Sequence, residues 1–158
     1  MREDYGKDEI QLRGMYLQIS CDYEFLLADI AFYCSGEPSE TKDGYIAKTF
    51  DKTSMGEKLR MTVLALKKYN HGYYKIYEKQ FKVVERLTAL RNKYAHSNMK
   101  SNPEKDDGTI DFLYYKKGKL VAEKKNKAEL YKEMNVYIYN IYDLAGLWSL
   151  LKGEASTL

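Results

Sequence analysis

Residues 73–96 read YYKIYEKQFKVVERLTALRNKYAH, and this stretch decides the fold class. On a helical wheel of about 100° per residue with Val84 at zero, Lys75, Glu78, Lys79, Lys82, Glu85 and Arg86 fall between roughly 100° and 220°. Ile76, Phe81, Val83, Val84, Leu87, Leu90 and Ala95 fall between roughly 240° and 60°, through zero. Such a separation predicts an amphipathic helix from about Tyr73 to Tyr94, with one face in a core. One residue breaks it. Arg91 lands near 340°, in the middle of the apolar arc, with Gln80 beside it. A guanidinium cannot shed its charge, so burial demands an anion. Two readings follow: Arg91 pairs with an acid of the first helix such as Asp22 or Asp29, or its site awaits an anion such as phosphate.

Upstream, Leu12, Tyr16, Ile19, Tyr23, Leu26, Ile30 and Tyr33 recur at spacings of three and four, predicting a long helix from about Asp8 to Cys34. Residues 35–54, SGEPSETKDGYIAKTFDKTS, break the period and read as a surface loop. Thr53 or Ser54 can cap a helix bearing Leu59, Val63 and Leu66, which stops at Asn70-His71-Gly72. Downstream, SNMKSNPEKDDG reads as a polar loop. TIDFLYY and KLVAEK form a hairpin across Lys117-Gly118. A last helix, about Lys127 to Lys152, is apolar on nearly every side after Val136, which places it in the core or in a subunit interface. The expected fold is mainly α: an antiparallel up-and-down four-helix bundle with a small β-hairpin before the last helix. Residues 1–158 make a single domain, with the polar loop and hairpin at about 97–125.

Composition excludes several classes. With 158 residues, 44% hydrophobic and 31% charged, the chain builds a core without metal or disulfide staples. No apolar run approaches the roughly 20 residues of a spanning helix, and the first residues show no signal-peptide core. A cytoplasmic protein without membrane contact is expected. Cys21 and Cys34 stand roughly 20 Å apart along one helix and cannot pair, so both are expected as buried free thiols. The net charge is only +3, but six lysines crowd between Lys116 and Lys127. No Gly-rich phosphate loop or Cys/His zinc spacing occurs, His71 reads as a turn residue, and Asp106-Asp107 lacks a third ligand. No metal and no cofactor is expected.

Arg91-Asn92-Lys93-Tyr94-Ala95-His96 resembles the R-x(4–6)-H signature of the HEPN superfamily: small helical domains, many of them endoribonucleases of toxin–antitoxin and antiviral-defence systems. Asn92 matches the polar residue that usually follows the arginine, and Ala95 the small residue before the histidine. The resemblance implies metal-independent cleavage of RNA by Arg91 and His96, with Asn92 orienting the pair or the phosphate. In such a cut the 2′-hydroxyl attacks the adjacent phosphate, leaving a 2′,3′-cyclic phosphate and a 5′-hydroxyl. It also implies a homodimer that brings two motifs into one cleft, and an antitoxin partner in some systems. The chemistry suits the residue types, since imidazole moves protons near neutral pH and guanidinium offers a fixed fork of donors to phosphorane charge. Five residues is about 140° of rotation, so His96 meets Arg91 within one chain only where the helix frays at Ala95-His96-Ser97. Lys93, Lys116, Lys117 and Lys119 are candidates to track an RNA backbone. One departure concerns silencing. Toxins of this family that are silenced by a nucleotidyltransferase antitoxin often have tyrosine two residues after the histidine, where this chain has Asn98. The competing class is a helical module that binds nucleotide, RNA or protein without cutting.

Overall fold

The computed structural model describes residues 7–35, 41–100 and 107–157. Its elements run α1 (Lys7–Ser35), α2 (Lys42–Thr49), α3 (Met55–Tyr69), α4 (His71–His96), β1 (Asn98–Lys100), β2 (Thr109–Lys116), β3 (Lys119–Asn126) and α5 (Lys127–Ala155). The protein is mainly helical, with a small three-stranded antiparallel sheet before the last helix.

Local chemistry explains most boundaries. Ser54 caps α3 by accepting from the Glu57 amide at 3.2 Å, and Asn126 caps α5 by accepting from Ala128 at 2.8 Å. Asn70 alone separates α3 from α4, so His71 starts a helix rather than occupying a turn. Lys117 (φ 51°) and Gly118 (φ 75°) both take the left-handed region that the two-residue hairpin demands.

The expected loops also need correction. The stretch 35–54 is not all loop: Thr41 caps α2 by accepting from Gly44 at 3.2 Å, and Phe50 behind it is buried against Ala28 and Ala31 of α1. The hairpin is also not alone, because β1 pairs with β2 from Asn98↔Leu113 to Lys100↔Asp111. Such a short strand has too few residues to show alternation, so the pattern concealed it. The rest of the polar loop, residues 101–106, lies outside the described residues.

The core gathers Leu12, Tyr16, Ile19, Tyr23 and Leu27 of α1, Leu66 of α3, Phe81, Val84 and Leu87 of α4, Ile110 and Phe112 of β2, and Met134, Leu144 and Leu147 of α5. Tyr137, Leu144 and Leu151 of the last helix are buried, while Val136, Tyr139, Tyr142 and Leu150 stay exposed. Cys34 is buried, but Cys21 is exposed, contrary to expectation, because it faces outward on α1. Ile76 and Tyr94 share one angle on α4, about five turns apart. The sheet covers Tyr94, but Ile76 is 68% exposed.

A buried polar bridge joins three helices. Asn140 of α5 donates to the Tyr23 hydroxyl of α1 at 3.0 Å and to the Gln80 carbonyl of α4 at 3.1 Å. Tyr23 in turn donates to the Tyr137 carbonyl at 2.6 Å. Asn140→Ala removes two of these bonds without replacing either partner. We expect it to lower unfolding stability by about 1–3 kcal/mol in urea titration.

Candidate active site at the end of helix α4

The last two turns of α4 hold the motif residues, and the buried positions Val84, Leu87 and Tyr94 define the inward stripe of this helix. Arg91 falls on that stripe between Leu87 and Tyr94. It is half-buried, and its Nε is enclosed with no hydrogen-bond partner. Nη1 lies 3.4 Å from Oδ1 of Asn92. Among the described residues Arg91 forms no ion pair. The acids considered for it are engaged elsewhere: Asp22 accepts from Gln18 at 2.9 Å, and Asp29 pairs with Lys42 at 3.1 Å.

Tyr94 anchors the segment. Its ring lies 4.4 Å from Tyr16 of α1 and 4.9 Å from Phe112 of β2. Burial, then the nearby Glu133, pushes its phenol up to about 12. Burial also raises Tyr16 and Tyr137, whose hydroxyls donate to Glu133 at 3.4 and 3.1 Å. The Tyr16 and Tyr137 phenols stay protonated and bind as donors.

The helix does not fray at Ala95. It runs through His96, and Ser97 is the C-cap, its amide donating to the Lys93 carbonyl at 2.9 Å. Arg13 of α1 donates to the Ser97 carbonyl at 2.7 Å and so holds the helix end from outside. That contact was invisible in the pattern, because Arg13 sits among ordinary α1 polar positions. His96 is exposed, and continuous helix turns it about 140° from Arg91. Within one chain the two side chains therefore diverge.

No family model, curated protein or solved structure matches this chain. The site stands on its own geometry.

The lysines divide into two groups. Lys93 is bound by Glu123, and its Nζ lies 4.9 Å above the Tyr114 ring. Lys125 pairs with the same Glu123 at 2.7 Å, and Lys124 approaches Asp107 and Asp111 at 3.9 and 3.8 Å. Lys116, Lys117 and Lys119 form no ion pair among the described residues and stand exposed at the hairpin tip. Asn92 ends a groove of about 550 Å³ between α3 and α4, floored by Leu59, Val63, Phe81 and Ala89. Asp107 accepts from the Thr109 amide at 3.0 Å, while Asp106 lies outside the described residues. Among the described residues, no three His, Cys, Asp or Glu side chains gather as a metal site, and no helix is long and apolar enough to cross a membrane.

Glu123 couples the motif helix to the sheet. Hydrogen bonds from Lys125 and Lys93 hold its carboxyl down to about 2. The stability it contributes is present above its ordinary value of 4.5 and is lost as pH falls toward about 2. Urea midpoints measured across that window are expected to fall with pH in the native chain. The fall is shallower in Glu123→Gln, which is also less stable at neutral pH.

Proposed function

We propose that this chain is a metal-independent endoribonuclease of HEPN type that cuts single-stranded RNA in the cytoplasm, as a toxin or antiviral-defence effector. The observation that supports this reading most is Arg91: a guanidinium on the buried stripe of its helix, beside Asn92, with no carboxylate paired to it among the described residues. A permanently charged fork in such a place suits a phosphate, whose oxygens accept bidentate donation. His96, exposed at the helix end, supplies the proton-transfer group. In this reading α1, α3, α4 and α5 form the up-and-down bundle of the family, with the sheet inserted before α5.

In the cut, His96 takes the proton of the RNA 2′-hydroxyl as its oxygen attacks the adjacent phosphorus. The bond to the 5′-oxygen breaks, and that oxygen takes a proton from the imidazolium so formed, which returns His96 to its neutral form and gives a cyclic phosphate and a 5′-hydroxyl. Arg91 stabilises the charge that builds on the non-bridging oxygens. Because the two side chains diverge on one helix, one chain's Arg91 works best with His96 of a second copy. The exposed apolar face of α5 (Val136, Tyr139, Tyr142 and Leu150) supports such a homodimer. An antitoxin is a further proposed partner, silencing by some route other than a tyrosine at position 98.

A second reading is a helical module that holds a nucleotide or RNA phosphate without cutting. The divergence of Arg91 and His96 within one chain favours it.

The purified protein is expected to cleave single-stranded RNA in EDTA, to leave DNA intact and to yield 2′,3′-cyclic phosphate ends. Arg91→Ala and His96→Ala are each expected to cost about 10²- to 10⁴-fold in rate with helicity retained by circular dichroism. Binding without cleavage selects the second reading. Cleavage that needs added magnesium rejects the mechanism.

Sedimentation at low micromolar concentration is expected to show a dimer of the 18.5 kDa chain. Mixing Arg91→Ala with His96→Ala chains is expected to restore part of the activity. An active monomer defeats the composite site while leaving the nuclease reading in place.

A further inference from the structure

Within the lysine-rich run of residues 116–127, the structure separates charges that are satisfied from charges that are not. Lys124 and Lys125 are paired with acids, whereas Lys116, Lys117 and Lys119 have no ion pair among the described residues. Lys116 and Lys119 are direct cross-strand partners in the β2–β3 register. Like charges directly opposite one another destabilise a hairpin. Lys117, between them, occupies a left-handed turn position where Asn or Asp is the usual choice before Gly. From Phe112 to Ala122, FLYYKKGKLVA, no acid intervenes. Edge protection is served by lysines spread along an edge strand, whereas these three are concentrated at the turn.

The tip is also placed next to the motif. Lys93 lies over Tyr114, and Lys116 follows two residues later on the same face, one pleat repeat of about 7 Å along β2. On the opposite face, Tyr115 is 76% exposed and pairs across the strands with Leu120, 61% exposed. Three uncompensated cations with an exposed aromatic ring match a polyanion that carries stackable bases.

We propose that the β2–β3 tip is the docking surface for single-stranded RNA: Lys116, Lys117 and Lys119 hold backbone phosphates, and Tyr115 stacks on a base. The proposal rests on the RNA reading above and names the surface by which substrate reaches α4.

The test is fluorescence-anisotropy binding of a 2′-O-methyl single-stranded RNA, which supplies no 2′-hydroxyl nucleophile, measured over a series of salt concentrations. Lys116→Gln/Lys117→Asn/Lys119→Gln is expected to weaken binding at least tenfold at low salt. The log–log salt slope is expected to fall by about 2, at roughly 0.7 per lost phosphate contact on a single strand. Asn at position 117 suits the turn, so the hairpin is preserved. Lys117→Asn alone is expected to lower the slope by about 0.7, which keeps the test open should the triple variant misfold. Tyr115→Ala is expected to weaken binding about 5- to 150-fold with the slope unchanged. Lys75→Gln/Lys79→Gln/Lys82→Gln, removing equal charge from the other half of α4, is expected to stay within twofold. Equal losses in the two triple variants, no loss in the tip variant, or no binding by the native chain each overturn the proposal. The last result is also expected if the tip serves an acidic protein instead. Cleavage of ordinary RNA is scored separately. Tip-dependent binding without cleavage defeats only the nuclease reading, and cleavage with tip-independent binding defeats only this one.

Discussion

The ring of Tyr94 lies between Tyr16 and Phe112, and this stack sets the rotation of α4. Aromatic contacts of this kind contribute about 0.5–1.5 kcal/mol each beyond the area they bury. They also join three elements at once, α1, α4 and β2. Leu87, Arg91 and Tyr94 occupy one stripe, so burying Tyr94 commits Arg91 to the inward side. Turning α4 by one residue, about 100°, to free the guanidinium would also pull Tyr94 from the stack. The position of the charge follows from the position of the ring.

The acids then decide which cations remain available. Glu123 satisfies Lys93 and Lys125 and accepts from the Tyr114 hydroxyl at 3.2 Å. Glu24 holds Lys58 at 2.5 Å, Asp29 holds Lys42, and Glu133 receives two phenols. What is left without a described carboxylate includes Arg91 and the three tip lysines. A net charge of +3 is unremarkable for a chain of this size, and unpaired cations occur elsewhere on it too, but these four lie near one junction. Uncompensated positive charge at the junction of α4 and the sheet gives an anion a reason to bind there.

Much of this was legible from residue order. The 3.6-residue period marked α1, α3 and α4 because each buries one side over several turns, and the length of its apolar run marked α5. Gly118 marked the hairpin because a two-residue turn needs left-handed positions that glycine takes freely. The wheel also placed Arg91 among apolar neighbours, where the structure places it. Less regular pieces escaped: α2 has too few turns for a clear period, and β1 has too few residues for alternation.

Residue order by itself therefore determined the long helices, the hairpin turn, and the arginine on an apolar stripe with a histidine five positions on. These are local properties, set by side-chain period and backbone preference. Only the tertiary structure decided that Asp22 and Asp29 are spent on other partners, that Lys93 belongs to Glu123, that three lysines at the tip do not share in that neutralisation, and that α4 continues unfrayed through His96. Each depends on which groups from distant parts of the chain come within a few ångströms of one another. The strength of a charge pair falls with separation and solvent exposure, neither of which can be read along a single strand of letters.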